Sequence, residues 1–285
     1  MASLNYAAYI EEMIRSALLQ GYPDLELVLI DGASDGETLG VISKYARWFS
    51  YWISEPDNGQ SQAFNKGLAR MTGDIFNIFD SDDFFVPGSF GLVAQAHTRN
   101  PKNILAGDVI RTWEGSAKSE VHFPAELDLH AYAQWWSTRH HGQPGIFYPS
   151  SHFAEVGWIN ENLHCLMDYE YTLRYLAVTG ISVTRCAVAV IRHHSESKSS
   201  KIGDNFVWEC IQISKAYQRM FPDIDATANR HAAGILFGFG FRRLLRGQGN
   251  SWRFMREGLW IQPFWAFYWL FPGWLIRKWA KLTAH

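Results

Sequence analysis

The sequence predicts an α/β protein with a mainly parallel sheet, followed by a helical C-terminal extension. Three observations lead there. Short β-branched runs alternate with segments of helical spacing, Gly- and Asp-rich loops follow those runs, and beyond about residue 201 the runs give way to long helical stretches.

The elements follow in order. Residues 6–20 place Ala7, Ile10, Ile14 and Leu18 at helical spacing, and Gly21 with Pro23 stops the helix. Residues 25–30, LELVLI, read as a buried strand that ends in the loop DGASDGE before a helix over 38–48. The pattern repeats in the strand YWI (51–53), the loop SEPDNGQ, the helix SQAFNKGLARM and the strand DIFNIF. A helix over 92–100, the strand NILAGDVIRTW, an irregular region over 114–145, a helix over 168–178 and the strand ISVTRCAVAVI complete a first domain, residues 1–200. Helices over 206–221 and 226–246 open the second, residues 201–285.

Composition excludes several classes. With 26 basic and 28 acidic residues the net charge is −2, so no global field favours nucleic acid and an anionic ligand needs a local site. Cys165, Cys186 and Cys210 lie far apart without CxxC spacing, against a thiolate zinc site and a disulfide framework, so a reducing cytoplasm is the default. The opening MASLNYAAYIEEMIRSALLQ lacks the basic and apolar regions of a secretory signal.

In open α/β sheets ligands bind beyond the carboxyl ends of the strands, where Asp31, Asp35, Asp57, Asp80, Asp82 and Asp83 all lie. Asp80-Ser81-Asp82 is a DxD arrangement, whose oxygens suit Mg²⁺ or Mn²⁺ on a diphosphate. Alone, the tripeptide also suits an ordinary turn.

Taken together, VLIDGASDGETL, YWISEPDNGQSQAFNKGL, TGDIFNIFDSDDFFVPGSF, QPGIFY and MDYEYTLRYLAVTG resemble, in order and spacing, the motifs of family 2 glycosyltransferases, especially bacterial GT-A members that build exopolysaccharide and O-antigen chains. The resemblance covers about residues 3–200. It implies that Asp31 and Asp35 lie near the base and ribose of a nucleotide sugar, where an Asx-turn is the alternative. It places Asp57, Gln60, Asn65 and Lys66 on the donor side, with Lys66 either in contact or solvated. Asp80 and Asp82 match the metal-binding DxD, and Asp83 a supporting carboxylate or an acceptor contact. Asp168 matches the general base of inverting members, with a helix cap as the alternative. Met167 stands where many relatives carry an acid, which brings Glu170 into consideration. Gln143 would border the acceptor, and His193 or His194, beside Arg192 and Lys198, would meet the metal or diphosphate. Relatives begin with a strand ending in a segment like SLNYAAYI, here residues 3–10, so that strand is expected to be missing, as in a clipped chain or a late gene start.

Residues 259–276, LWIQPFWAFYWLFPGWLI, carry no charge, with Arg253 and Arg256 before them and Arg277, Lys278 and Lys281 after. Pro263 and Pro272 break the stretch, and its Trp and Tyr suit the headgroup region, so it reads as an in-plane anchor on the anionic inner leaflet. Packing on the catalytic domain or a partner is the alternative. The resulting expectation is an inverting, Mn²⁺- or Mg²⁺-dependent transfer of a hexosyl unit from a nucleotide sugar to a saccharide or polyprenyl-linked acceptor. A silent nucleotide-sugar-binding scaffold is the rival. A nucleotidyltransferase is disfavoured because the chain lacks a Gly-rich, basic N-terminal loop.

Overall fold

The computed structural model describes residues 1–122, 128–133, 142–198, 204–220, 225–261 and 263. It divides into two compact units, Met1–Asn205 and Phe206–His285.

The first unit opens with β1 (Ala2–Ser3), α1 (Ala7–Leu18), β2 (Val28–Asp31), α2 (Gly36–Tyr45), β3 (Tyr51–Ser54) and α3 (Gln60–Leu68). α1 buries Ile10, Met13, Ile14 and Ala17, the i, i+3, i+4, i+7 stripe of an amphipathic helix, and Gly21 at φ +61° follows its end. α2 starts where the Asp35 carboxylate accepts the Thr38 N–H at 3.0 Å. Next come β4 (Ile75–Phe76), β5 (Phe84–Phe85), α4 (Ser89–Arg99), β6 (Ile104–Trp113), β7 (Ser119–His122), α5 (Leu129–Ala133), β8 (Ile146–Pro149), α6 (Phe153–Val156), α7 (Met167–Leu176) and β9 (Ile181–His193).

β1, β2 and β3 form a parallel sheet in that order. The second sheet runs β4-β8-β6-β9-β5, with β7 paired to β6. Here only β6 and β9 are parallel, whereas β4–β8, β6–β8, β6–β7 and β5–β9 are antiparallel. The expectation of a mainly parallel sheet therefore holds for β1–β3 and for the β6–β9 seam, and is corrected elsewhere. The link from β6 to β7 is a short turn through Gly115 (φ +71°), which closes a hairpin and leaves no room for a crossover.

A second correction concerns the first strand. Ala2–Ser3 is present as β1, between β2 and the segment ending in Asp80: the Ala2 N–H donates to Phe79 O at 3.1 Å, and Ala2 bridges Asp80 in parallel. At the opposite ends of these strands lies a cavity of 470 Å³, flanked by Leu25, Leu27 and Val28 on one side and Ile75, Ile78 and Phe79 on the other. Of the expected strand DIFNIF, only Ile75–Phe76 joins a ladder as a strand.

The main core gathers Ile10, Ile14, Leu29, Ile42, Phe79, Phe85, Leu105 and Val188. Each fully buried aliphatic side chain contributes about 1.5–3 kcal/mol. Along the β6–β9 seam the register shifts beside Gly107, where an added Cβ would lie 2.5 Å from Val188, so only glycine fits.

The second unit contains α8 (Asp204–Met220), α9 (Asp225–Leu245) and α10 (Ser251–Ile261). α9 and α10 form a hairpin around Phe237 and Met255 and around Leu236 and Phe254. Beyond Ile261 and Pro263 the aromatic tail lies outside the described residues. Among those described, no helix is long and apolar enough to cross a membrane.

Candidate active site

The segment after Phe79 is pinned on both flanks, by Ala2 on one side and by the pairing of β5 with Val190 and Ala189 of β9 on the other. It presents Asp80, Asp82 and Asp83 with one carboxylate oxygen each, all within 4.8 Å of one another. Burial, then the charge of Asp82, pushes the Asp80 pKa up to about 7, while Lys198 and a hydrogen bond from Gln60 oppose the rise. Burial, followed by Asp82 and Asp80, raises Asp83 well above the usual carboxylate range, against an Arg192 N–H that it accepts at 3.0 Å. Three converging hard oxygen ligands under mutual repulsion fit a divalent cation such as Mg²⁺ or Mn²⁺.

The basic run after β9 splits between different tasks. His194 is buried, with Nε2 3.1 Å from Asp82 Oδ2, and packs against Tyr9 at 4.5 Å and edge-on to Tyr6 at 5.9 Å. His193 instead stacks on Trp113 at 5.1 Å, and its buried Nε2 has no hydrogen-bond partner among the described residues. Burial and then Arg111 lower its pKa. Of the two histidines, the geometry brings His194 to the carboxylates. Arg192 pairs with Glu12 at 2.5 Å, and Lys198 donates to Gln60 Oε1 at 2.7 Å. Gln60, the first residue of α3, turns its amide N–H to Asp80 and so links Lys198 to the cluster.

Several donor-side candidates are committed to the framework. Asp31 is fully buried at the end of β2 and accepts from Ser34 N–H (2.8 Å), Ser34 Oγ (2.5 Å) and Ser54 Oγ (2.6 Å). It thereby holds the loop in which Ala33 adopts φ +64°. Asp35 caps α2, and its pKa is lowered, first by the Thr38 N–H. Asp57 accepts the Gly59 N–H at 2.8 Å and faces Gly32, where an added Cβ would lie 2.9 Å from Asp57 Oδ2. Asn65 clamps the 159–161 loop through Ile159 O, Ile159 N–H and Glu161 Oε1, each at 2.9 Å. Lys66 pairs with Glu55 at 2.8 Å and donates to Pro56 O at 3.2 Å.

On the far side, α7 carries Asp168 and Glu170 in its first turn. The Asp168 charge raises the pKa of Asp80, which places it within electrostatic reach of the cluster. Glu170 grips Arg174 in two bonds, 2.8 Å to Nε and 3.0 Å to Nη2, and Arg174 in turn donates to Val156 O and Trp158 O. Met167, at the departed acidic position, is buried. Gln143 opens a 3-10 turn packed on β6 and β9, and its buried Nε2 has no hydrogen-bond partner among the described residues.

The profile of Glycosyl transferase family 2 matches residues 1–154, more than half of the chain. The chain belongs to glycosyl transferase family 2. An uncharacterized glycosyltransferase of Rickettsia felis is 28% identical over 212 residues, covering 70% of this chain and 35% of that relative. One from Mycobacterium tuberculosis H37Rv is 27% identical over 191 residues, covering 65% and 71%. This family 2 chain thus spans about a third of the Rickettsia felis protein it matches. Among solved structures, residues 1–349 of S. aureus TarS in complex with UDP-GlcNAc align with a TM-score of 0.69 at 19% identity, over 90% of this chain and 78% of that one. Mannosyltransferase PcManGT from Pyrobaculum calidifontis, in complex with GDP-Man and Mn²⁺, aligns at 0.59 and 14% identity, over 100% and 79%. At these identities the likeness shows a shared GT-A fold.

The structure adds residues to this family 2 site that sequence reasoning passed over. Ser34 and Ser54 satisfy Asp31, Asn5 at φ +58° accepts the Asp35 N–H at 2.9 Å, and Tyr6 and Tyr9 wall in His194. The signal for the tyrosines was their i, i+3 spacing in LNYAAY, which sets both on one helical face. The serines gave none, because a serine in a Gly-rich loop also suits an ordinary turn.

Proposed function

We propose that this glycosyltransferase moves a hexosyl unit from a UDP-linked sugar to a saccharide or polyprenyl-linked saccharide with inversion, assisted by Mn²⁺ or Mg²⁺. The observation that carries the reading is the Asp80, Asp82 and Asp83 cluster at the carboxyl ends of the strands, with His194 on Asp82 and Asp168 facing it electrostatically. Asp80 and Asp82, with His194 beside them, would hold the ion, which when bound neutralises the departing diphosphate. Asp57, Gln60 and the capped loop at Asp35 shape the donor side, and Lys198 brings a cation to it through Gln60. Asp168 takes the proton from the attacking acceptor hydroxyl, since Glu170 is bound to Arg174 and turned to another side of the helix. Gln143 and Asp83 border the acceptor. The aromatic stretch over 259–276 rests on the inner face of the cell membrane, as suits a lipid-linked acceptor.

Calorimetry with UDP, GDP and dTDP, each with and without Mn²⁺, tests the donor. Binding should be tightest for UDP and depend on the metal, and Asp82→Asn should abolish the metal-dependent part. Unchanged UDP binding in that variant would remove the metal assignment.

A further inference from the structure

α10 is a helix with two opposed faces. Its inner face, Ser251, Phe254, Met255 and Gly258, is buried at i, i+3, i+4, i+7. Its outer face sets Trp252, Arg256 and Trp260 at i, i+4, i+8, with the tryptophans 67% and 85% exposed. The end of α9 displays Leu244 and Leu245, 53% and 72% exposed, beside Arg246 in the turn that follows. Folding alone gives no reason to leave four large apolar side chains in water at one end and along one face of a helix pair.

Charge indicates what covers them. Residues 226–261 contain six arginines and a single acid, Glu257, whose carboxylate lies 3.8 Å from Arg256. Exposed Arg242, Arg246 and Arg256 alternate with the exposed apolar side chains. Tryptophan and leucine on one face, flanked mainly by cations, is the composition of a helix lying in the headgroup plane of an anionic bilayer, the rings in the acyl boundary and the guanidinium groups on phosphates. A protein partner would call for satisfied polar groups around a shaped apolar centre, whereas a stripe of tryptophan and arginine needs only a flat, soft, negative surface.

We propose that the outer face of α10, with the end of α9 and the turn between them, forms a docking surface for an anionic lipid bilayer. It overlaps the 259–276 stretch only at Trp260, and its Leu244, Leu245 and Trp252 act whether or not the rest of that stretch inserts. The full chain should sediment with phosphatidylcholine vesicles that contain phosphatidylglycerol, and much less with phosphatidylcholine alone. The double variant Leu245→Ser/Trp252→Ser, with both changes on exposed side chains outside the 259–276 stretch, should lose about tenfold or more in partitioning. Its circular dichroism and UDP binding should be unchanged. Arg246→Glu should erase the preference for phosphatidylglycerol. The proposal fails if the wild-type chain ignores the anionic vesicles, or if the double variant partitions like wild type, which would assign attachment to the tail alone. It also fails if single-stranded RNA binds through Trp252 and vesicles do not compete. None of these outcomes bears on the transferase reading, which is decided by donor binding.

Discussion

Asp80 sits where a charge is costly unless it is answered. Its pKa of about 7 lies above the ordinary carboxylate value of 3.8, so the folded protein holds this proton more tightly than the unfolded chain does. In the metal-free protein the associated stability is therefore present below about pH 4 and is lost as pH rises through about 7. Asp80→Asn should then melt a few degrees higher than wild type at pH 8 in EDTA, and the advantage should fade as pH falls from about 7 towards 4. A difference independent of pH, followed by denaturation at several pH values, would show that Asp80 is charged at no cost. Much of this site was legible from the sequence, because three aspartates after a buried strand already require a counter-charge. The roles of Asn65 and Lys66 were not. Asn65 is explained by the backbone of Ile159, 94 residues away, and no local pattern encodes such a partner.

At the scale of the element, α7 carries both the proposed base, Asp168, and a supporting residue, Glu170. Asp168 and Glu170 are two residues apart, which on a helix turns them to different sides. Glu170, Arg174 and the carbonyls of Val156 and Trp158 tie the helix to the turn after α6. Glu170→Gln should cost about 1–2 kcal/mol of stability with little loss of transfer. Asp168→Asn should keep donor affinity and lose transfer by roughly 10²-fold. Denaturation midpoints and transfer rates on the two variants decide between them, and an equal transfer loss in Glu170→Gln would move the base to Glu170. Helices α1 to α4 and α7 to α9 and the long strands β6 and β9 were readable from their own spacing, whereas α5, α6 and α10 were not, α5 falling in the stretch read as irregular. The antiparallel partners β4, β5, β7 and β8 were not, since two to four residues hold too short a pattern to reveal a direction of pairing.

At the scale of the whole molecule, the seam between β6 and β9 joins Ile104 to Ile181 at one end and Trp113 to His193 at the other. Partners about eighty residues apart make this a pairing of high contact order, expensive in loop entropy and slow to form. The β1–β3 sheet pairs segments much closer in sequence, and the acidic cluster at residues 80–83 precedes both strands of the seam in the chain. His194 arrives only with the end of β9. During refolding, or as the chain leaves the ribosome, the three carboxylates should therefore exist for a time without the residue that faces Asp82. After dilution from denaturant, tryptophan fluorescence should recover in a fast phase and a slow one, and binding of UDP with Mn²⁺ should return only with the slow phase. Binding that returned with the fast phase would mean that the site assembles without the seam. The order of the chain thus sets an expected order in time: the residue that faces Asp82 is the last part of this cluster to arrive as the chain folds.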